Sequence, residues 1–192
     1  MNKISKNEIS AVILAGGQGS RMGGKDKGLI EFRNLPLIAY AVNVAKDRVN
    51  EIFISANRSL EDYSKYGKVI VDDLEGYQGP LAGISKALKV CSSNYLLVLP
   101  CDSPMIDSTL IAELVERMEI SDSDICVAHD GQIMHATFAF MKSNLSKSLD
   151  EFLDDGGRKM ALWYRQQRTE RVNVSSHLEL LTNLNSPEDF NF

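Results

Sequence analysis

The chain has 192 residues, 44% of them hydrophobic, with 21 Lys and Arg against 26 Asp and Glu for a formal charge of −5. That length suits a single domain with a sizeable core, and mild negative charge without a long basic stripe argues against nucleic acid as a partner. Cys91, Cys101 and Cys126 are odd in number and lack CxxC spacing, so they read as reduced thiols rather than a disulfide frame or zinc site.

The N-terminal MNKISKNEIS lacks the apolar run of a signal peptide, and no apolar segment is long enough to span a bilayer. The expectation is a cytoplasmic domain with no membrane partner. Near-continuous apolar character over residues 9–15 (ISAVILA) predicts a strand covered on both faces. A glycine-rich, cationic stretch follows, LAGGQGSRMGGKDKG over 14–28. After Asn34 a helical pattern begins, with Pro36 in its first turn and Leu37, Ala41 and Val44 on one stripe. Residues 51–56 (EIFISA), 68–71 (KVIV) and 95–99 (YLLVL) are further strands. A helix follows Gly79, with Pro80 early and Leu81, Ile84 and Leu88 on one face. Another runs over 108–118, with Leu110, Leu114 and Val115 inward. Such alternation needs crossover connections and predicts a mainly parallel sheet.

Beyond residue 120 the pattern loosens. Segments 124–128 (DICVA) and 134–141 (MHATFAFM), joined by Asp130-Gly131, predict a hairpin that puts an antiparallel strand into the sheet or beside it. Residues 143–154 read as a helix stopped by Gly156-Gly157, 159–167 as another helix, and 170–174 (ERVNV) as a last strand. No repeat, low-complexity tract or linker interrupts the chain. The expected architecture is one domain over 1–192, a Rossmann-like three-layer α/β/α fold with a mainly parallel sheet plus an antiparallel strand or hairpin.

The glycine stretch invites a phosphate yet fails two phosphate-loop patterns. Read as a Walker loop, it has Asp26 where a Ser or Thr should place its hydroxyl on magnesium. Read as a dinucleotide fingerprint, it has Met22 where a small residue should let helix and strand close up. Ligands of open parallel sheets bind beyond the carboxyl ends of the strands. Those ends deliver Arg21, Lys25 and Lys27, then Asn57, then Asp72 and Asp73 leading to Gly79-Pro80-Leu81-Ala82-Gly83, and then Asp102. Magnesium takes one or two carboxylates plus substrate phosphate oxygens, and Asp102, just past a buried strand, is placed to supply one. Loop amides could cradle a triphosphate while Arg21 and Lys27 offset its charge.

The arrangement L-A-G-G-x-G-x-R-M-G-G-x-D-K-G resembles the signature of nucleotidyltransferases that activate a phosphorylated acceptor with a nucleoside triphosphate. Within them it is most similar to the molybdenum cofactor guanylyltransferases, the MobA family. The likeness continues through Ser55-Ala56-Asn57, Asp72, Gly79 to Gly83, Leu99-Pro100-Cys101-Asp102-Ser103-Pro104 and Asn183-Leu184-Asn185-Ser186-Pro187-Glu188-Asp189. Leu14-Ala15-Gly16-Gly17, where cytidylyl and sugar-phosphate relatives carry L-A-A-G, favours guanine by this resemblance, and Pro80-Leu81-Ala82-Gly83 leans the same way. The resemblance implies a nucleotide-diphospho-sugar transferase fold, with a nucleotide-binding part over about 1–120 and an acceptor-binding part over about 121–192. It implies GMP transfer from GTP to the terminal phosphate of the molybdopterin cofactor, releasing pyrophosphate, with magnesium as cofactor.

By the same resemblance Leu14, Ala15, Gly16, Gly17 and Gly83 would line GTP, and Lys27 would contact its phosphates. Asn57 and Asp72 would meet the base or ribose, and Asp102 would hold magnesium, with Asn185 a further metal contact. Arg21 would stabilise charge on the leaving pyrophosphate, alongside Lys27 and Asp102 as the catalytic set. Asn183 and Asn185 would face the acceptor. Transient contact with cofactor-insertion or target enzymes is also implied. The attacking phosphate is already anionic, so catalysis would be positioning and electrostatics.

Rival readings are a CTP- or sugar-phosphate-using transferase and, from another class, a GTP-binding cofactor carrier without turnover. His129, His135 and His177 lack metal spacing and read as ordinary surface or half-buried histidines. His135-Ala136 replaces the family's frequent His-Pro, and no role is carried onto it. Cys101 reads as a small buried thiol rather than a nucleophile, and Trp163 as core packing. Asp72 and Asp73 could be a solvated turn, and Ser186 with Pro187 a helix cap.

Overall fold

Strand β1 (Ile9–Leu14) has no exposed residue, because its two faces meet different layers of helix. The computed structural model describes residues 3–16, 26–72 and 79–190. After β1 come the short strands β2 (Glu31–Phe32) and β3 (Leu35–Pro36), then α1 (Leu37–Ala45), β4 (Glu51–Ser55), α2 (Leu60–Tyr63) and β5 (Lys68–Ile70). Helix α3 (Pro80–Val90), β6 (Tyr95–Pro100), α4 (Ser108–Ile120), β7 (Ile125–His129) and β8 (Met134–Lys142) follow. The last elements are α5 (Ser146–Asp154), α6 (Met160–Tyr164) and β9 (Thr169–Asn173).

Seven strands form one sheet in the order β5-β4-β1-β6-β8-β7-β9. Strand β8 runs against β6 and β7, and all other pairings in this sheet are parallel. The expected hairpin therefore exists, and its second strand sits inside the sheet between β6 and β7. Val12 of β1 packs with Leu81, Ile84 and Leu88 of α3 in a layer shared with Leu149 of α5 and Trp163 of α6. Ala11 faces the other way, into the layer of Leu110, Ile111 and Leu114 of α4. Ile13 joins Ile38 and Ala41 of α1 on that side. Burial on both faces explains why β1 is apolar throughout instead of alternating.

Local chemistry sets the helix starts. Gly79, at φ 75, precedes Pro80 in the first turn of α3, where a missing N–H costs no hydrogen bond. Asp107 caps α4, its Oδ1 accepting from the Thr109 N–H at 2.8 Å. Helix α5 ends where the Gly157 N–H reaches the Phe152 carbonyl at 2.8 Å, with Gly156 at φ 82. Trp163 and Tyr164 are fully buried, which makes α6 a core element.

Several segments differ from expectation: the helix expected over 159–167 covers only Met160–Tyr164, and the short helix α2 was not among the expected elements. The helix after Asn34 begins only at Leu37, because residues 31–36 fold into the β2–β3 hairpin. Its central residues Arg33 and Asn34 both take positive φ, 48° and 66°, as a tight two-residue hairpin turn requires. The stretch expected as one helix over 143–154 opens with a 3-10 turn, Ser143–Leu145, before α5.

Candidate active site

Four parallel strands end in one row. Leu14 pairs with Ser55 on one side and Pro100 on the other, and Ser55 pairs with Ile70. Backbone bonds carry the row one residue further: Ala15 N–H to the Ser55 carbonyl at 2.9 Å, Ala56 N–H to Ile70 at 3.1 Å, and Cys101 N–H to Leu14 at 3.2 Å. Everything that follows these strands is thus delivered to one edge of the sheet. A cleft opens there, with Leu14, Ala15 and Gly16 on its floor and Lys27, Asp72, Gly79, Pro80, Asp102 and Asn183 around it.

The charged centre is Lys27. Its ammonium lies 2.5 Å from Asp102 Oδ2 and 2.7 Å from Asn185 Oδ1, so residues far apart in sequence meet on one nitrogen. The C-terminal segment is held there by its backbone. Leu184 N–H donates to the Asp102 carbonyl at 2.9 Å, and Ser103 Oγ donates to Asn183 Oδ1 at 2.5 Å. Asp189 accepts from the amides of Asn185 and Ser186 at 2.6 and 2.8 Å, which closes the turn that presents Asn185. Those bonds hold the Asp189 carboxyl below its ordinary range.

Asp102 Oδ1 is buried and has no hydrogen-bond partner among the described residues. A buried carboxylate oxygen left unpaired is costly, and beside an Asn carbonyl oxygen it offers the hard-oxygen donor set that suits a divalent cation held chiefly by phosphate and water. Asp102 and Asn185 fit such an ion. On the opposite wall Asn57 Nδ2 donates to Asp72 Oδ2 at 2.7 Å, so the amide and carboxylate that follow β4 and β5 act as a pair.

Most of the sequence-derived positions converge here. Leu14, Ala15, Gly16, Lys27, Asp72, Asp102 and Asn183 line the cleft, while Asn57 and Asn185 hold residues that do. Gly83 stands behind the wall, packed on Ser55. Gly17, Arg21, Lys25 and Asp73 lie outside the described residues. Ser55 and Thr137 also line the cleft and are not among the sequence-derived site positions. Ser55 was signalled by the one hydroxyl ending a buried apolar strand; Thr137 enters only through the position of β8 in the sheet.

Several neighbours have plainer duties. Burial, then the adjacent Asp102 charge, push the Cys101 thiol well above its usual range, which disfavours a thiolate nucleophile. His135 Nε2 meets Asp130 Oδ2 at 2.8 Å, and Asp130 Oδ1 takes the Gln132 and Ile133 amides. These contacts hold the Asp130 carboxyl far below the carboxylate range and fix the β7–β8 turn. Among the described residues no group of three His, Cys, Asp or Glu forms a metal cluster. No helix among them is long and apolar enough to cross a membrane.

Comparison with known proteins bears on the family and the fold. Residues 11–171 match the model of the MobA-like NTP transferase domain. The chain is 40% identical over 182 residues to the molybdenum cofactor guanylyltransferase of Shewanella frigidimarina, covering 94% of this chain and 93% of that one. It is 42% identical to the enzyme of the same name from Vibrio atlanticus, covering 95% and 93%. Among solved structures, the molybdopterin-guanine dinucleotide biosynthesis protein A of Archaeoglobus fulgidus superposes with a TM-score of 0.79 at 19% identity, over 94% of both chains. The 4-diphosphocytidyl-2C-methyl-D-erythritol synthase of Anaerococcus prevotii does so at 0.70 and 13% identity, over 96% and 93%. At such identities the likeness is one of fold.

Proposed function

The chain belongs to the family of MobA-like NTP transferases, and we propose that it moves GMP from GTP to the terminal phosphate of the molybdopterin cofactor, releasing pyrophosphate. The observation that carries this reading is the meeting of Lys27, Asp102 and Asn185 at the edge where four parallel strands end. The names of relatives near 40% identity over almost the whole chain support guanine and molybdopterin as the substrates.

The acceptor phosphate attacks the α-phosphorus, and the bond from that phosphorus to the bridging oxygen of pyrophosphate breaks. The nucleophile is anionic at neutral pH, so no general base is needed, and the side chains work by position and charge. Lys27 offsets charge on the triphosphate. Asn57 and Asp72, already paired, meet the ribose or base on the far wall, with Leu14, Ala15 and Gly16 beneath. Arg21 would stabilise charge on the leaving pyrophosphate, and Gly17 would contact GTP. Asn183 and Asn185 face the acceptor, which binds to the part of the chain over about 121–192. Asp102, with Asn185, would hold magnesium, which supplies charge neutralisation on the phosphate oxygens when bound.

Pyrophosphate release, measured with molybdopterin cofactor and magnesium across the four nucleoside triphosphates, tests the reading. GTP should be preferred, and Asp102→Ala should lower turnover by about 100-fold or more, the scale on which removing charge stabilisation acts. Preference for CTP, or unaltered magnesium-dependent turnover in Asp102→Ala, overturns it.

A further inference from the structure

Asp26 stands next to Lys27 and is drawn into the protein rather than toward the cleft. Its side chain is only 8% exposed. Its Oδ1 accepts from the Tyr63 hydroxyl at 2.5 Å, and its Oδ2, which has no hydrogen-bond partner among the described residues, lies within ion-pair distance of Arg58 Nε at 3.2 Å. Tyr63 is fully buried, at the end of α2, and its ring also lies under the turn that follows Asp26. A β-carbon on Gly28 would come within 2.5 Å of that hydroxyl. The segment leaving β4 therefore grips two loops. Asn57 takes Asp72, while Arg58 and Tyr63 take Asp26.

A buried carboxylate held by a phenol and a guanidinium is a poor device for stability, since well-packed apolar groups in the same volume serve equally or better. It is a good device for fixing backbone. Lys27–Leu29 form a 3-10 turn directly after the clamped Asp26, and the Lys27 side chain reaches Asp102 from that turn. We infer that Asp26, clamped by Tyr63 and Arg58, is the positioning residue that sets Lys27 for its phosphate contact. Asp26, where a Walker loop would carry a metal-binding hydroxyl, then serves as an anchor for the exit of the glycine loop.

Lys27 meets GTP under the guanylyltransferase reading, so the test titrates magnesium with each of the four nucleoside triphosphates by calorimetry, without acceptor. The full chain is used as Tyr63→Phe, as Lys27→Gln and as the double variant. In the parent, Tyr63→Phe should weaken the tightest-binding nucleotide about tenfold. In the Lys27→Gln background it should change affinity less than about twofold, because a residue acting through Lys27 has nothing left to position. A purely structural role would cost the same in both backgrounds. A loss in the parent at least about threefold larger than in Lys27→Gln upholds the clamp, and a smaller ratio overturns it. Should Tyr63→Phe fail to fold, Asp26→Asn, which keeps an acceptor for the phenol and drops the charge facing Arg58, runs through the same cycle with the same threshold. Tightest binding of a nucleotide other than GTP overturns the guanylyl reading and leaves the clamp test intact.

Discussion

Gly83 on α3 and Ser55 at the end of β4 touch where no side chain fits. A β-carbon on Gly83 would lie 2.1 Å from Ser55 Oγ and 2.9 Å from Ser55 Cβ. Ser55 lines the cleft, and its carbonyl holds the Ala15 N–H at 2.9 Å, so pressure on it is transmitted to the cleft floor. Gly83→Ala should therefore destabilise the chain by about 1–3 kcal/mol, as over-packing does, and raise the KM for GTP. Ser55→Gly in the same chain removes the atoms in collision and should recover part of the loss. Denaturant unfolding of the two single variants and the double variant reads this directly, and strict additivity would refute the steric account.

Thiol chemistry separates Cys101 from a nucleophile. Cys101 and Cys126 are buried, whereas Cys91 is partly accessible. Burial raises all three thiols, and Cys101 stands far above its usual range, with the Asp102 charge adding to the effect. Iodoacetamide at pH 8 should label Cys91 first and reach the other two only on unfolding. Cys101→Ala should keep turnover within about threefold of the parent, since the position supplies volume rather than a thiolate. Mass spectrometry of timed samples gives the labelling order, and rapid loss of activity with label on Cys101 would reverse the assignment.

The strand ends were legible because β1, β4, β5 and β6 are short apolar runs followed by residues that apolar burial cannot explain. Lys27, Asp72 and Asp102 stood out on that ground, and the parallel sheet then brought their strands into one row. The β2–β3 hairpin was not legible, because an Arg at positive φ gives no sequence signal for a tight turn. Thr137 was hidden for a different reason. The place of β8 between β6 and β7 is a long-range pairing, and local periodicity carries no information about it. Asn57 and Asp72 were visible as two separate residues, but their mutual bond depends on the Ser55 and Ile70 register.

Acid should expose one tie between strands far from the cleft. Arg168 first, and then Lys142, hold the Asp124 carboxyl down to about 2, while its backbone links the starts of β7 and β9 through the Arg168 carbonyl at 2.8 Å. An unfolded Asp titrates at about 3.9. The contribution is therefore fully present above that pH and is lost as pH falls toward 2. Arg168 is 57% exposed, so screening limits it to about 1 kcal/mol. Asp124→Asn should melt below the parent at pH 6 and converge with it near pH 2. A gap in melting temperature that persists unchanged at low pH would show that charge is not the cause.

Asn183 allows its two ends to be tested apart. Its Oδ1 is already taken by the Ser103 hydroxyl at 2.5 Å, while the side chain lines the cleft. The amide N–H₂ is thus the end left to meet an anionic ligand. Asn183→Asp keeps an acceptor for Ser103 and so should fold with nearly the parent's stability, but it sets a negative charge where the proposed acceptor phosphate would come. Asn183→Ala leaves the Ser103 hydroxyl without that partner and should cost about 1 kcal/mol of stability. The expected kinetics differ in the same sense. Asn183→Asp should raise the KM for the acceptor by about tenfold or more, since like charges at contact distance repel, and Asn183→Ala should raise it less. Equal KM values for Asn183→Asp and Asn183→Ala would mean that the amide end faces no phosphate, and Asn183 would then serve only to tie the C-terminal segment to Ser103.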